Sequence, residues 1–313
     1  MTDLRRPRRG SMAFRPRKRA ESQVPEVNWC DVAEKRVLGF AGYKVGMSHA
    51  AYVDESDSPT KGQEITSSVT VLEAPQMFVY GMRCYDGTRS LGDILAQDEK
   101  ILKRLGIKKH NIRQINESEV KEVRLLVFAQ PDKTGFGKKH IERMELGIGG
   151  KDTKEKLEYA KTFIGKELKA SDVFKSGEYV DAVAITKGKG WQGPVKRFGV
   201  SMQRPKSTGK RRHVGTLGQW HPAYILYTAP RAGQMGYHKR TELNKQVLKI
   251  GSNVDEINPK GGFMGYGFVK NDYIILKGSV PGPAKRLIRL RQAVRAKPGK
   301  ELNITYFSTD SKQ

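Results

Sequence analysis

Residues 188–193 read GKGWQG, a glycine spacing that can close a loop on the pyrophosphate of a dinucleotide. That chemistry needs a helix directly after the loop and a carboxylate about 20 residues on to hold a ribose. Pro194 and Gly199 cut such a helix short, and no Asp or Glu occurs from 182 to 241. A G-x-x-x-x-G-K-[ST] phosphate loop occurs nowhere in the chain. His213, His221 and His238 lie in the same stretch without a Cys, Asp or Glu to complete a metal site or an acid–base pair. Catalytic residues, metal ligands, cofactors and a small-molecule substrate are therefore not expected.

What the stretch does offer is the equipment of a nucleic-acid binder. Lys187, Lys189, Lys196, Arg197, Arg204 and Lys206 can neutralise phosphates, as can Lys210, Arg211, Arg212, Arg231, Lys239 and Arg240. Trp191, Phe198, Trp220, Tyr224, Tyr227 and Tyr237 supply flat faces for unstacked bases. Beside a polyanion, the three histidines donate to phosphate or stack. A competing reading makes Trp220 and some of the tyrosines a small core of their own.

The charge pattern of the 313-residue chain supports the first reading. Of a net +25, residues 1–20 carry eight basic residues and one acid. Residues 21–181 are balanced, with 25 basic and 26 acidic, whereas 182–241 hold 12 basic and none acidic. Residues 242–313 add 13 basic and six acidic. Solubility alone would intersperse the two signs. Excluding every acid from sixty residues points instead to a polyanion, and nucleic acid releases counterions when its phosphates are neutralised.

A membrane surface would want an amphipathic helix, which the nine Gly and four Pro of 182–241 forbid. The longest apolar run, 125–129, is far short of the roughly 18 residues that cross a bilayer. The N-terminal cluster Arg5, Arg6, Arg8, Arg9, Arg15, Arg17, Lys18 and Arg19 is punctuated by Pro7, Gly10 and Pro16. It reads as an extended RNA-binding arm, not as a helical mitochondrial leader; a nuclear-targeting cluster is the alternative. Cys30 and Cys84 read as ordinary thiols of a reducing compartment.

The elements that must carry these extensions are mostly strands. Alternation and β-branched residues predict strands over 37–47, 64–72 and 77–85, together forming a small barrel or curled sheet. Leu91, Ile94, Leu95, Ile101, Leu102 and Leu105 recur at helical spacing over 91–105, with Gly106 as C-cap. A strand over 122–128 and a helix over 151–164 complete an inserted α/β unit. Strands return at 178–186, then at 265–269 and 273–276 as a hairpin around KND. KRLIRLR at 285–291 alternates as a strand with one face on a core and the other, with Lys285 and Arg286, on an anion. From Lys297 a loose tail is expected.

Several passages also carry a family resemblance: GSMAFRPRKRA, KGKGWQGPVKRFGV, GTLGQWHPA, RAGQMGYHKRTELNK, GGFMGYG and NDYIILKGSVPGPAKRLIRLR. In this order, across nearly the whole chain, they resemble the universal large-subunit ribosomal protein three family, with a short C-terminal tail of archaeal type. The resemblance implies a six-stranded β-barrel with an inserted α/β region and long irregular basic extensions. In segments, this gives a basic arm over 1–30 and barrel parts over 31–85, 166–187 and 246–295. The α/β insert spans 86–165, a central finger 188–245 and the tail 296–313.

It further implies a structural, non-enzymatic constituent of the cytoplasmic ribosome, acting early in subunit assembly. Its partners would be 23S-type rRNA and neighbouring large-subunit proteins. The finger would run toward the peptidyl transferase centre with Tyr224 and Tyr227 near its tip; eukaryotic members place a tryptophan at the position of Tyr227. His221 matches a histidine methylated in some eukaryotic members.

As a hairpin-like excursion the finger could reach at most roughly 95 Å, and such a loop should order only against RNA. An RNA-modifying enzyme and a DNA-compacting protein are the rival classes. The first would need a cofactor pocket or carboxylates near the basic surface, and the second equal affinity for duplex DNA and rRNA.

Overall fold

The computed structural model describes residues 8–87, 89–107, 116, 119–296 and 299–310; Arg5, Arg6 and Lys297 lie outside them. In chain order the first elements are β1 (Gly39–Val53), β2 (Glu64–Glu73), β3 (Met77–Asp86), β4 (Arg89–Leu95), α1 (Glu99–Arg104), β5 (Glu122–Ala129), β6 (Glu142–Gly147) and α2 (Thr153–Phe163). They are followed by β7 (Glu167–Leu168), α3 (Ala170–Val173), β8 (Tyr179–Ile185), β9 (Trp191–Gln192), α4 (Pro194–Phe198) and β10 (Gly233–Gln234). The last are β11 (Lys239–Gly251), β12 (Tyr273–Lys277), β13 (Leu287–Gln292) and β14 (Ile304–Phe307). The chain divides into two units: 1–22 with 185–239, and 23–184 with 240–313.

The larger unit is built on β1. One of its edges pairs antiparallel with β2 along Tyr43↔Glu73 to Val53↔Glu64, with a bulge between Lys44 and Gly46. Its other edge is shared: residues 39–43 pair with β13, and Ala50–Tyr52 with β14. The order β13-β8-β11-β12-β2-β1, closed by β13 on β1, makes a ring of six strands with β14 added outside it. Closure removes the open edges that a flat sheet would leave. Phe40, Tyr43, Tyr52, Leu72 and Tyr273 are fully buried in this unit.

A second antiparallel sheet, β4-β3-β5-β6 with β7 on β3, fills the insert. Period-2 alternation explains its double burial. Along β5, Val123, Leu125 and Val127 join the main core, while Leu126 and Phe128 join a smaller cluster with Tyr80, Leu105 and Ile141. α2 covers the main-core side with Leu157 and Ala160.

Several expectations are corrected here. β3 belongs to the second sheet and not to the ring. Over 91–105 the apolar spacing fits a helix, but Leu91, Ile94 and Leu95 lie in β4, paired with β3 through Gly81↔Leu95 and Met82↔Ile94. Only 99–104 is helical, started by Asp98, whose Oδ1 accepts from Lys100 N at 2.9 Å. Gly106 does sit just past its end with φ +69°.

Residues 265–269 are not a strand: 264–266 form a turn, and Phe263 and Gly267 pair only as an isolated bridge. The tail contains a strand, β14, so it is not loose.

The largest correction concerns 285–291. The strand is β13, so Lys285 and Arg286 precede it, and its first four residues are all buried instead of alternating between core and solvent. Among them Arg289 faces inward. It is 4% exposed, donates to Pro25 O at 2.8 Å and to Glu145 O, and stands over the Trp29 indole at 5.5 Å. Burial pushes its guanidinium down to about 10. Trp29 itself fills a slot between two glycines. A Cβ on Gly39 or on Gly147 would come within 2.6 Å of the indole. Arg291 is half-buried on Asp181, while Lys285 is exposed and Arg286 half-buried.

Candidate nucleic-acid interface

The smaller unit is assembled from two stretches far apart in sequence, the N-terminal arm and the acid-free segment. It contains 19 basic residues against two acids, Asp3 and Glu21. The larger unit by contrast pairs arginines of its second sheet with carboxylates, both between strands and along one strand. Arg83 meets Asp93 at 2.6 Å and Glu145 at 2.8 Å; Arg124 meets Glu122 at 2.7 Å and Glu145 at 3.2 Å. The smaller unit has almost no carboxylate with which to build such a ladder.

Its base is a ladder. Thr186 N bonds His238 O at 2.9 Å, Lys189 N bonds Met235 O at 2.9 Å, and Met235 N bonds Gly190 O at 2.9 Å. β9 and β10 continue it through Trp191↔Gln234. Pro194 at the first position and Gly199 in the left-handed region at φ +67° bound the five-residue helix α4. From 200 to 232 there are turns and bends without helix or strand. Glycine and proline content explains this, and the conformation is pinned locally by bonds such as Gln203 N to Arg211 O at 2.9 Å.

The arm lies along this segment. Arg8 Nη2 donates to Thr228 O at 3.0 Å, Ala20 N donates to Tyr237 O at 2.9 Å, and His238 Nδ1 lies 2.8 Å from Lys18 O. Arg15 stands over Tyr227 at 5.5 Å, Arg19 over Tyr237 at 5.8 Å and Arg17 over Phe198 at 4.9 Å. Arg197 also stands over Phe198, at 5.0 Å, and donates to Gln234 O and Arg231 O. Partial burial is the main cause that lowers the Arg197 guanidinium, with Arg17 adding repulsion. These groups border a cleft of about 660 Å³ lined by Arg15, Arg17, Lys18, Arg197, Phe198, Tyr227 and Arg231.

Most of the expected binding residues are presented to solvent. Arg8, Arg9, Arg15, Lys18 and Arg19 of the arm are exposed; Arg17 is half-buried. Lys187, Lys189, Lys196, Arg204, Lys206, Lys210, Arg211, Arg212, His213, His221 and Arg231 are exposed too. Trp191, Trp220, Tyr224 and Tyr227 are 75%, 88%, 70% and 76% exposed, so these four aromatics do not form a core. Arg197, Lys239 and Arg240 are half-buried, and His238 is buried against the arm. Pairing of the arm with Phe198, Tyr227, Thr228, Tyr237 and His238 had no local signal in the sequence.

Such an arrangement offers phosphate-pairing cations, flat faces and closely approachable backbone; among the described residues no group of three or more His, Cys, Asp or Glu could hold a metal ion. Comparison with known proteins is consistent with this. The family model described as Ribosomal protein L3 matches residues 1–313. The large ribosomal subunit protein uL3 of Methanosphaera stadtmanae is 47% identical, covering 100% of this chain and 99% of the relative. The proteins of the same description from Methanothermobacter thermautotrophicus and Methanocaldococcus jannaschii are 47% and 46% identical. These two alignments cover 98% and 99% of this chain, respectively, and 98% of each relative.

Proposed function

The chain belongs to the ribosomal protein L3 family, and from that premise we propose that it binds large-subunit rRNA mainly through the arm and the acid-free finger. As a member of that family it is a structural constituent of the large ribosomal subunit, not an enzyme. The finer reading concerns how it holds RNA. Cations of the arm and finger neutralise phosphates and release counterions, while Trp191, Trp220, Tyr224 and Tyr227 stack on unpaired bases. The ring of six strands acts as the barrel that seats the protein on the subunit. Residues 188–245 form the finger, reaching toward the peptidyl transferase centre with Tyr224 and Tyr227 near the tip. His221, exposed beside Trp220, is accessible to methylation. The complex forms early in assembly, with neighbouring large-subunit proteins as further partners in the cytoplasmic ribosome.

One observation carries this reading: 19 cations and four exposed aromatics gathered in a unit with only two acids. Sedimentation of a native lysate tests it. Co-migration with the large subunit that persists through moderate salt is expected. A peak among free proteins would sink the reading.

A further inference from the structure

Two loops of the larger unit, 133–140 and 257–271, contain no acidic residue. They pack on one another: Asn271 Nδ2 donates to Lys133 O at 3.0 Å, and the Phe136 ring lies 5.3 Å from that of Tyr266. The second loop is held with unusual completeness. Asn258 clamps Val269 from both sides, accepting from its N at 2.9 Å and donating to its O at 3.0 Å. Glu73, fully buried, accepts from Lys270 N at 2.9 Å, Asn271 N at 3.0 Å, Asn271 Nδ2 at 2.7 Å and the Tyr266 hydroxyl.

On this rigid frame Met264 and Phe268 stand 64% and 50% exposed. A loop so fixed cannot fold these side chains away, so it forgoes their burial while the molecule is alone. Lys139, Lys260 and Lys270 are exposed and make no ion pair among the described residues. Lys133 and Lys138, in the same loops, are paired with Glu167 and Glu142. Lysine is depleted at protein–protein interfaces, whereas lysines around a flat aromatic suit a base and its flanking phosphates. Asp310 borders the groove beside Met264, which leaves Phe268 as the residue to meet a polyanion.

We propose that this two-loop surface is a second rRNA contact, on the larger unit, where Phe268 stacks on an unpaired base and Lys139, Lys260 and Lys270 neutralise the adjoining phosphates. The inference rests on the rRNA-binding reading above.

The test uses the full chain and transcribed large-subunit rRNA. Lys139→Ala/Lys260→Ala/Lys270→Ala should flatten the slope of log affinity against log salt by about 2, and Phe268→Ala should weaken binding about tenfold. Ultraviolet crosslinking should place a nucleotide adduct on the peptide containing Phe268. Unchanged thermal unfolding of the variants checks their fold, and the crosslink needs no variant at all. Tight wild-type binding with both variants unaltered and no adduct in 257–271 would overturn the inference and leave the arm-and-finger reading standing. So would a crosslink from this loop, within intact subunits, to another protein instead of RNA. Wild-type protein that fails to bind rRNA would remove both.

Discussion

The guanidinium of Arg17 lies over the ring of Phe198, 4.9 Å from its centroid, joining the N-terminal arm to the finger. Arg197 occupies the same ring at 5.0 Å, and a Cβ on Gly10 would fall 2.4 Å from it. Phe198 is therefore the point on which arm residues and finger residues converge. Each cation–π contact contributes roughly 0.5–1 kcal/mol at an exposed site. Of these two contacts only that of Arg17 ties the arm to the ring, so Phe198→Ala should release the arm by roughly 0.5–1 kcal/mol. Limited trypsin digestion of the RNA-free chain should then cut at 17–19 about two- to fivefold faster than in the wild type. Equal cleavage rates would mean that the ring does not hold the arm.

The finger should be removable. Lys189 N and Met235 O are bonded at 2.9 Å, so the two chains leave the base of the finger as neighbours. A two- to four-residue turn can close that gap. Replacing 190–234 by such a turn should leave the larger unit, with its own closed ring and core, unfolding in one cooperative transition. A broad, non-cooperative melt would show that the ring depends on the finger.

The strands were legible because period-2 burial leaves a local trace. EITSSVTVL and MFVYGMRCY read directly as β2 and β3. The misreadings have identifiable physical causes. Leu91, Ile94 and Leu95 fit one helical face, yet hairpin pairing of β4 with the preceding β3, signalled locally by Asp86-Gly87, decides the conformation. Arg289 has the sequence signature of an outward cation, but it lies inside, where its two Nη atoms donate to the carbonyls of Pro25 and Glu145 while its buried Nε makes no hydrogen bond among the described residues. In the smaller unit, composition singled out cations and aromatics that the structure leaves mostly exposed. It could not reveal that Arg17 and Phe198 meet each other, because nothing near either residue encodes the other.

Binding should be steeply salt-dependent. Neutralising about eight phosphates gives a fall in affinity of about 10⁴ between roughly 50 and 200 mM salt. Filter binding of the full chain to rRNA across that range measures the slope. A flat response would contradict an interface of 19 cations and two acids.

Alkaline pH should unfold the larger unit through its tyrosines. Burial, reinforced by Glu142, raises the Tyr43 hydroxyl far above its ordinary value; burial and Glu73 do the same for Tyr266. In the unfolded chain both ionise near ~10, whereas the folded protein keeps their protons. The stability they contribute is fully present below that pH and is lost as pH rises beyond it, by about 1.4 kcal/mol per pH unit for each tyrosine.

Arg289 acts in the opposite sense. Its folded value is about 10, so above that pH the unfolded chain binds the extra proton and folding gains about 1.4 kcal/mol per unit. Two tyrosines outweigh one arginine, and the net slope is a loss. Urea midpoints across this pH range should therefore fall, with phenolate absorbance from Tyr43 and Tyr266 appearing only as the unit unfolds. Tyr43→Phe should make the slope shallower by about 1.4 kcal/mol per pH unit and leave the neutral-pH fold intact. If every tyrosine ionised near pH ~10 while the unit stayed folded, the buried pairs Tyr43–Glu142 and Tyr266–Glu73 would not be closed to water.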